Sequence, residues 1–325
     1  MKICAVVPVS PYEPESLITK SIENLKELNY NGYNFEVYYV IDRAKNDNRN
    51  FGSELPANFK IILRNNSRGG RAGAINEFLN FINDADYVAI FDVDSRPSKN
   101  FIIECIKAFN KNDSGVLSSG CRFVTNKNNI LTKIISLEYG FFCDLYRLYH
   151  WSDGFLQFNG LIGVIQASFL KKERLNETSS CEDLDLTQRI YLAHHVAILA
   201  KTTVGEQAPT TIKDLYNQRV RWLRGAVEGY RKFLFPMIKA PIPFSRKLFW
   251  FASLTFPFFS FLLSPLLIFG IGRISKVSDN PIEFFEILFG LFAYLWFITL
   301  CGIIAIIRYI TSSKTEWKSM TRSNE

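Results

Sequence analysis

Three short clusters of polar residues stand out against an apolar background. Asp92-Val93-Asp94 closes the run YVAIFDVD. A strand through residue 94 would place both carboxylates on one face, because strand side chains alternate with period two. Two hard oxygen donors at a strand end suit Mg²⁺ or Mn²⁺ shared with phosphate oxygens. The same pair also fits an ordinary polar strand end. Glu182-Asp183-Leu184-Asp185 opens a helical pattern that continues through Leu186, Ile190 and Tyr191. Acids at that position either do chemistry or favour the positive end of the helix. Gln218-Arg219-Val220-Arg221-Trp222 puts Gln, Arg and Trp on neighbouring turns of a helix. Such a set grips a diphosphate and stacks on a sugar, or simply forms a basic face.

The elements that must position these residues follow from hydrophobic periodicity. KICAVVPV, FEVYYVID (35–42), KIILR (60–64) and YVAIFDVD (87–94) read as buried strands. Between and after them, residues 15–28, 71–82 and 99–110 read as helices. Alternating strands and helices predict an α/β fold built on a mostly parallel, Rossmann-like sheet. Ligands of such sheets bind beyond the carboxyl ends of the strands. Asp42, Asp92 and Asp94 all fall at such ends, around one crevice.

The rest of the chain limits the function classes. Its 325 residues carry a net charge of +7 and are 48% hydrophobic, so the chain folds and forms about two units. Six cysteines occur with no Cys-x-x-Cys pair, which argues against a zinc ribbon or a redox motif. From Gln218 to Lys247 there are eight basic residues against Glu228 alone, a local excess equal to the whole net charge. Two uncharged runs follow, between Lys247 and Arg273 and between Glu286 and Arg308. Each exceeds the roughly 20 residues that a helix needs to cross about 30 Å of hydrocarbon. The basic stretch therefore reads as a membrane-surface segment and not as a nucleic-acid site. The organisation expected is a domain over 1–227, an amphipathic interfacial segment over 228–247, and a two-span transmembrane anchor with a cytoplasmic tail over 248–325. Arg308, Lys314, Lys318 and Arg322 after the second run put the domain and the tail in the cytoplasm, and the loop between the runs outside. These runs predict a multi-pass protein of the cell membrane. Neither run carries a charge, which argues against a transporter.

Taken in order and spacing, the motifs resemble the family 2 glycosyltransferases of GT-A fold, in the branch with cellulose, chitin and hyaluronan synthases. The likeness covers about residues 3–227. It rests on Pro8 at a strand end, Asp42 closing the second strand, and Gly70-Arg71-Ala72-Gly73-Ala74-Ile75-Asn76, like the family's Gly-Lys-Ala-Gly-Ala-Leu-Asn. It continues through Asp92-Val93-Asp94, Phe158-Asn159-Gly160, Glu182-Asp183, Glu206-x-Ala208-Pro209 and Gln218-x-x-Arg221-Trp222. Ser10-Pro11-Tyr12-Glu13 and Arg43 depart from the family pattern near the expected nucleotide base.

The resemblance implies a metal-dependent hexosyltransferase that inverts the anomeric carbon. Pro8, Asp42, Arg71, Asn76 and Asp92 would bind the nucleotide-sugar donor, with uracil the implied base and a UDP-sugar the implied donor. Asp92 and Asp94 would hold Mg²⁺ or Mn²⁺. Asp183 would be the general base. Glu182, Gln218, Arg221 and Trp222 would hold the acceptor and the diphosphate. The acceptor would be a lipid-linked or membrane-proximal glycan, with membrane lipids and a further copy of the chain as partners and no nucleic acid. A processive polysaccharide synthase working as an oligomer, and a non-catalytic membrane scaffold, are the competing readings.

Overall fold

The computed structural model describes residues 1–311 apart from 31, 45–48 and 50–54; Lys314, Lys318 and Arg322 lie outside the described residues. The chain forms two compact units, one of Met1–Cys121 with Leu156–Gly205, the other of Arg122–Phe155 with Glu206 onward.

The first unit is built on a sheet whose spatial order is β3-β2-β1-β4-β7-β6-β8-β5. Its strands are β1 (Lys2–Val9), β2 (Asn34–Asp42), β3 (Phe59–Arg64), β4 (Tyr87–Ile90), β5 (Arg96–Pro97), β6 (Gly115–Val124), β7 (Gly163–Gln166) and β8 (Val196–Glu206). In β1, Ile3 through Val7 are fully buried. A central strand covered on both faces needs an apolar run of this kind. β1 pairs in parallel with β2 and β4, and β2 with β3. β7 then runs antiparallel to β4 and to β6, and β5 antiparallel to β8. The expected parallel sheet therefore holds for the first four strands, and the sheet as a whole is mixed.

Helices α1 (Glu15–Lys26), α2 (Gly70–Phe78) and α3 (Phe101–Phe109) occur where the periodicity places them. On α1, Leu17, Ile18, Ser21 and Leu25 form the buried face, and Ser21 Oγ bonds Tyr39 Oη at 2.9 Å. One element is shorter than expected. β4 ends at Ile90, so Asp92 and Asp94 lie on the turn that follows and do not share a strand face. The turn is closed by Ser95, whose N–H donates to the Asp92 carbonyl and whose Oγ accepts from the Asp92 N–H, both at 2.9 Å.

The second unit contains α4 (Ile130–Trp151), α7 (Ile212–Lys239), α8 (Phe244–Thr255), a 3-10 stretch Phe256–Gly270, α9 (Ile271–Val277) and α10 (Pro281–Ile310). Helices α5 (Ala167–Glu173) and α6 (Glu182–Leu192) belong to the first unit. Asn129 caps α4 through a reciprocal pair of bonds with Thr132. The core of the second unit joins α4, α7, α9 and α10 through Ile135, Tyr139, Leu223, Ile274, Ile287 and Ile298. α7 runs without a break through the expected boundary at 227. Phe244–Pro265 and Pro281–Ile310 are long and apolar enough to cross a membrane.

Candidate active site

The carboxyl ends of β1, β2 and β3 carry the first group of site residues. The parallel register sets Asp42 directly opposite Arg64. Their side chains are both nearly inaccessible and pair at 2.7 Å. Arg64 also donates to Glu77 at 2.8 Å and to the Arg68 carbonyl at 2.6 Å, tying β3 to the entrance of α2. Gly73 allows that approach, since a Cβ there would lie 2.2 Å from the Arg68 carbonyl oxygen. Burial pushes the Asp42 carboxyl up to about 6, more than Arg64 beside it offsets. Arg49 donates to the backbone carbonyls of Asp42 (3.0 Å), Ser10 (3.1 Å) and Glu13 (3.1 Å), linking the loops after β1 and β2. Pro8, opposite Val40 in the register, lies one residue before the end of β1.

Arg71, in the first turn of α2, is the centre of the second group. Its Nε donates to Asp92 at 2.7 Å and its Nη1 to Glu182 at 3.0 Å. Its Nη2 donates to the Gly160 carbonyl. Gly160 has φ +66°, a left-handed conformation that glycine adopts without strain. Its N–H donates to Asp183 Oδ2 at 2.6 Å, and the other Asp183 oxygen accepts from the Leu184 N–H at 2.8 Å. One guanidinium thus gathers the Asp-x-Asp turn, the Phe158-Asn159-Gly160 loop and the start of α6. Burial alone would lower the Arg71 pKa, but the Asp92 and Glu182 carboxylates outweigh it and hold it above its ordinary value.

Asp94 is 6% exposed at the same turn. Among the described residues no group of three or more His, Cys, Asp or Glu gathers to hold a metal. Two hard carboxylates, one of them already shared with Arg71, fit a divalent cation that takes its remaining ligands from phosphate oxygens. Asn76, expected to bind the donor, is buried on α2. Its amide donates to the Leu175 carbonyl and to Glu177 and accepts from the Leu175 N–H, each at 2.9 Å. It clamps the segment that leads to α6. His195 packs edge-on against Phe169, in a structural setting.

In the second unit, Gln218, Arg221 and Trp222 lie on α7 and are half-buried. The Arg219 guanidinium sits 4.4 Å from the Trp222 ring centroid and pairs with Glu138 of α4 at 2.5 Å. Burial raises the Glu138 pKa, with Arg219 opposing it. Glu206 receives Arg122 and the Tyr139 hydroxyl. Sequence reasoning passed over Arg49, Arg64, Arg219 and Glu138 as site residues. The one signal present was Arg219 itself, inside the Gln-Arg-Val-Arg-Trp run.

Comparisons with known proteins bear on the family and the fold. A family model described as "Glycosyl transferase family group 2" matches residues 87–309, and one described as "Glycosyl transferase family 2" matches residues 4–163. Beta-monoglucosyldiacylglycerol synthase of Trichormus variabilis is 26% identical over 239 residues, covering 70% of this chain and 49% of that protein. Glucomannan 4-beta-mannosyltransferase 9 of Arabidopsis thaliana is 28% identical over 188 residues, covering 56% of this chain and 35% of that protein. The chain therefore spans half or less of the length of these two relatives. Among solved structures, a mannosyltransferase from Pyrobaculum calidifontis in complex with GDP-Man and Mn²⁺ matches with a TM-score of 0.64 and 14% identity, covering 96% of this chain and 88% of that one. That likeness establishes the fold, a GT-A fold.

Proposed function

The chain belongs to glycosyltransferase family 2, and on that basis we propose that it moves a sugar from a nucleotide-sugar donor, a UDP-sugar, to a lipid-linked or membrane-proximal acceptor with inversion at the anomeric carbon. The observation that carries this reading is the Arg71 cluster. It gathers Asp92, the proposed donor residue, and, through Gly160, Asp183, the proposed base. The enzyme is held at a cell membrane by its two apolar helices, with the catalytic unit on the cytoplasmic side, where nucleotide sugars are made.

In this reading Asp42, the loops fixed by Arg49, and Pro8 form the nucleoside pocket. Asp183 takes the proton of the acceptor hydroxyl as that oxygen forms its bond to the anomeric carbon and the bond to the donor phosphate breaks. Two backbone N–H groups fix the Asp183 carboxylate for that role. A divalent cation held by Asp94 and Asp92 would neutralise charge on the departing diphosphate. Arg71 positions both carboxylates, and Asn76 positions the segment before α6. Gln218, Arg221 and Trp222 receive the diphosphate and the acceptor sugar.

The test is a screen of nucleotide sugars for nucleotide release by the purified protein in lipid vesicles, with Mg²⁺ or Mn²⁺. Turnover that Asp94→Asn and a chelator each abolish supports the proposal. Full turnover under excess chelator would remove the metal from it. No turnover with any donor would favour the scaffold reading.

A further inference from the structure

α10 is a helix of 30 residues, about 45 Å long at 1.5 Å per residue. Its first half lies against α4. Lys133 of α4 pairs with Glu283 at 2.7 Å and with Asp279 at 2.8 Å. Its second half lies against α7. Arg308 donates to the Tyr216 hydroxyl at 3.2 Å, and Arg231 donates to the Tyr309 hydroxyl at 2.8 Å. Between these ends, Arg219 lies 6.0 Å from the Tyr294 ring while paired with Glu138. Both ends and the middle of α10 are therefore fastened to two helices that are themselves joined.

A crossing helix has its ends on opposite sides of about 30 Å of hydrocarbon. For α10 to cross in this packing, α4 and α7 would have to enter the same hydrocarbon. α4 carries Lys133, Glu138, Asp144 and Arg147, and α7 carries Arg219, Arg221, Arg224 and Glu228. Charged side chains at that depth are costly.

The other face of α10 has the character of a lipid contact. Phe285, Phe289, Phe292, Trp296, Ile303 and Ile310 recur at helical spacing and are exposed, Phe289 to 70% and Ile310 to 73%. The face turned to the protein holds smaller groups as well, Thr299, Cys301, Gly302 and Ala305. Large apolar groups on the outward face depart from a water-facing helix, whose outward face is polar. The apolar surface continues at the other end of α4. Trp151 there is 85% exposed, and Asp153 fastens that end to Arg246 (2.8 Å) and Ser245 (2.9 Å) beside the exposed Phe244. Lys239 and Lys247 flank this end, a charge that complements anionic headgroups.

We propose that the apolar helices do not cross the bilayer. They lie in one leaflet of an anionic membrane, with α10 along its plane, so the protein is monotopic. This departs from the two crossings that composition alone suggests, and it rests on the membrane association proposed above.

Single cysteines at Ser275→Cys, in α9 between the two apolar helices, and Lys239→Cys, before the first, test it. Each is labelled with a membrane-impermeant maleimide in right-side-out and in inside-out vesicles, against the parent chain. Labelling of both from the same side supports the proposal; labelling from opposite sides overturns it. Flotation with vesicles of phosphatidylcholine and phosphatidylglycerol adds a readout independent of activity. Phe289→Glu should reduce co-flotation about tenfold; unchanged co-flotation would overturn the in-plane contact. Failure of the parent to float at all would remove membrane association together with this proposal, whatever its transferase activity.

Discussion

The backbone N–H of Gly160 donates to Asp183 Oδ2 at 2.6 Å. This bond gives the proposed base a fixed orientation, and the Leu184 N–H on the other oxygen completes it. Asp183→Asn keeps the size of the side chain but offers one oxygen to two donors and takes no proton. Transfer should fall by about 10²-fold or more while the donor still binds. Steady-state transfer alongside nucleotide-sugar titration checks both halves. Near wild-type transfer would pass the role to Glu182 or Asp185.

Arg71 makes three separate contacts, with Asp92, Glu182 and the Gly160 carbonyl. A lysine supplies a single point charge in place of the planar fork. Arg71→Lys should lower kcat about tenfold, and Arg71→Ala more, because Asp92 and Glu182 then lose the cation they share. Kinetics with a fixed donor, read beside the thermal midpoint, separates lost positioning from lost folding. A full-rate Arg71→Ala enzyme would show that the gathered motifs do not need the guanidinium.

The parts of this site that were legible in the sequence are those that local pattern specifies. Apolar runs locate β1, β2 and β4, and the acids that interrupt them locate Asp42, Asp92 and Asp94. The extent of β4 was not legible, because FDVD continues the apolar alternation while the Ser95 hydroxyl turns the chain after Phe91. Nor was the Asp42–Arg64 pair, since the two residues lie 22 positions apart and meet only through the β2–β3 register. β7 and β6 run antiparallel for a similar reason: their direction depends on the connections and not on their own residues. The packing of α10 was not legible either, because composition carries no record of Lys133 or Arg231 fastening its two ends.

The Asp42 carboxyl titrates near 6 because burial favours its neutral form. Below that pH the group is protonated and accepts poorly; above it the carboxylate faces Arg64 and, in the proposed reading, the nucleoside. Donor affinity should therefore rise between about pH 5 and pH 7 and then level off. A nucleotide sugar suits the measurement, since its diphosphate diester does not titrate in that window. Asp42→Asn should flatten the profile. An unchanged profile in the variant would assign the pH dependence to another group.

Trp222 is held by Arg219, whose guanidinium lies 4.4 Å from the ring and is anchored by Glu138. A ring fixed in this way is suited to stacking on an acceptor sugar. Trp222→Ala should raise the acceptor KM about tenfold, on the scale of about 0.5–1.5 kcal/mol for an aromatic stack plus the area it buries. Donor hydrolysis, which needs no acceptor, should change much less. The same site bears on product length. A growing polysaccharide needs an exit, and sugar hydroxyls do not cross lipid unpaired. The outward surfaces of α8 and α10 carry Phe251, Phe292, Trp296 and Leu300, none of which lines a polar path. One copy should therefore add one or a few sugars to an acceptor that reaches it from the membrane plane. Gel sizing of radiolabelled product from the purified protein decides this. A high-molecular-weight polymer would reject short products and point to a channel built from several copies.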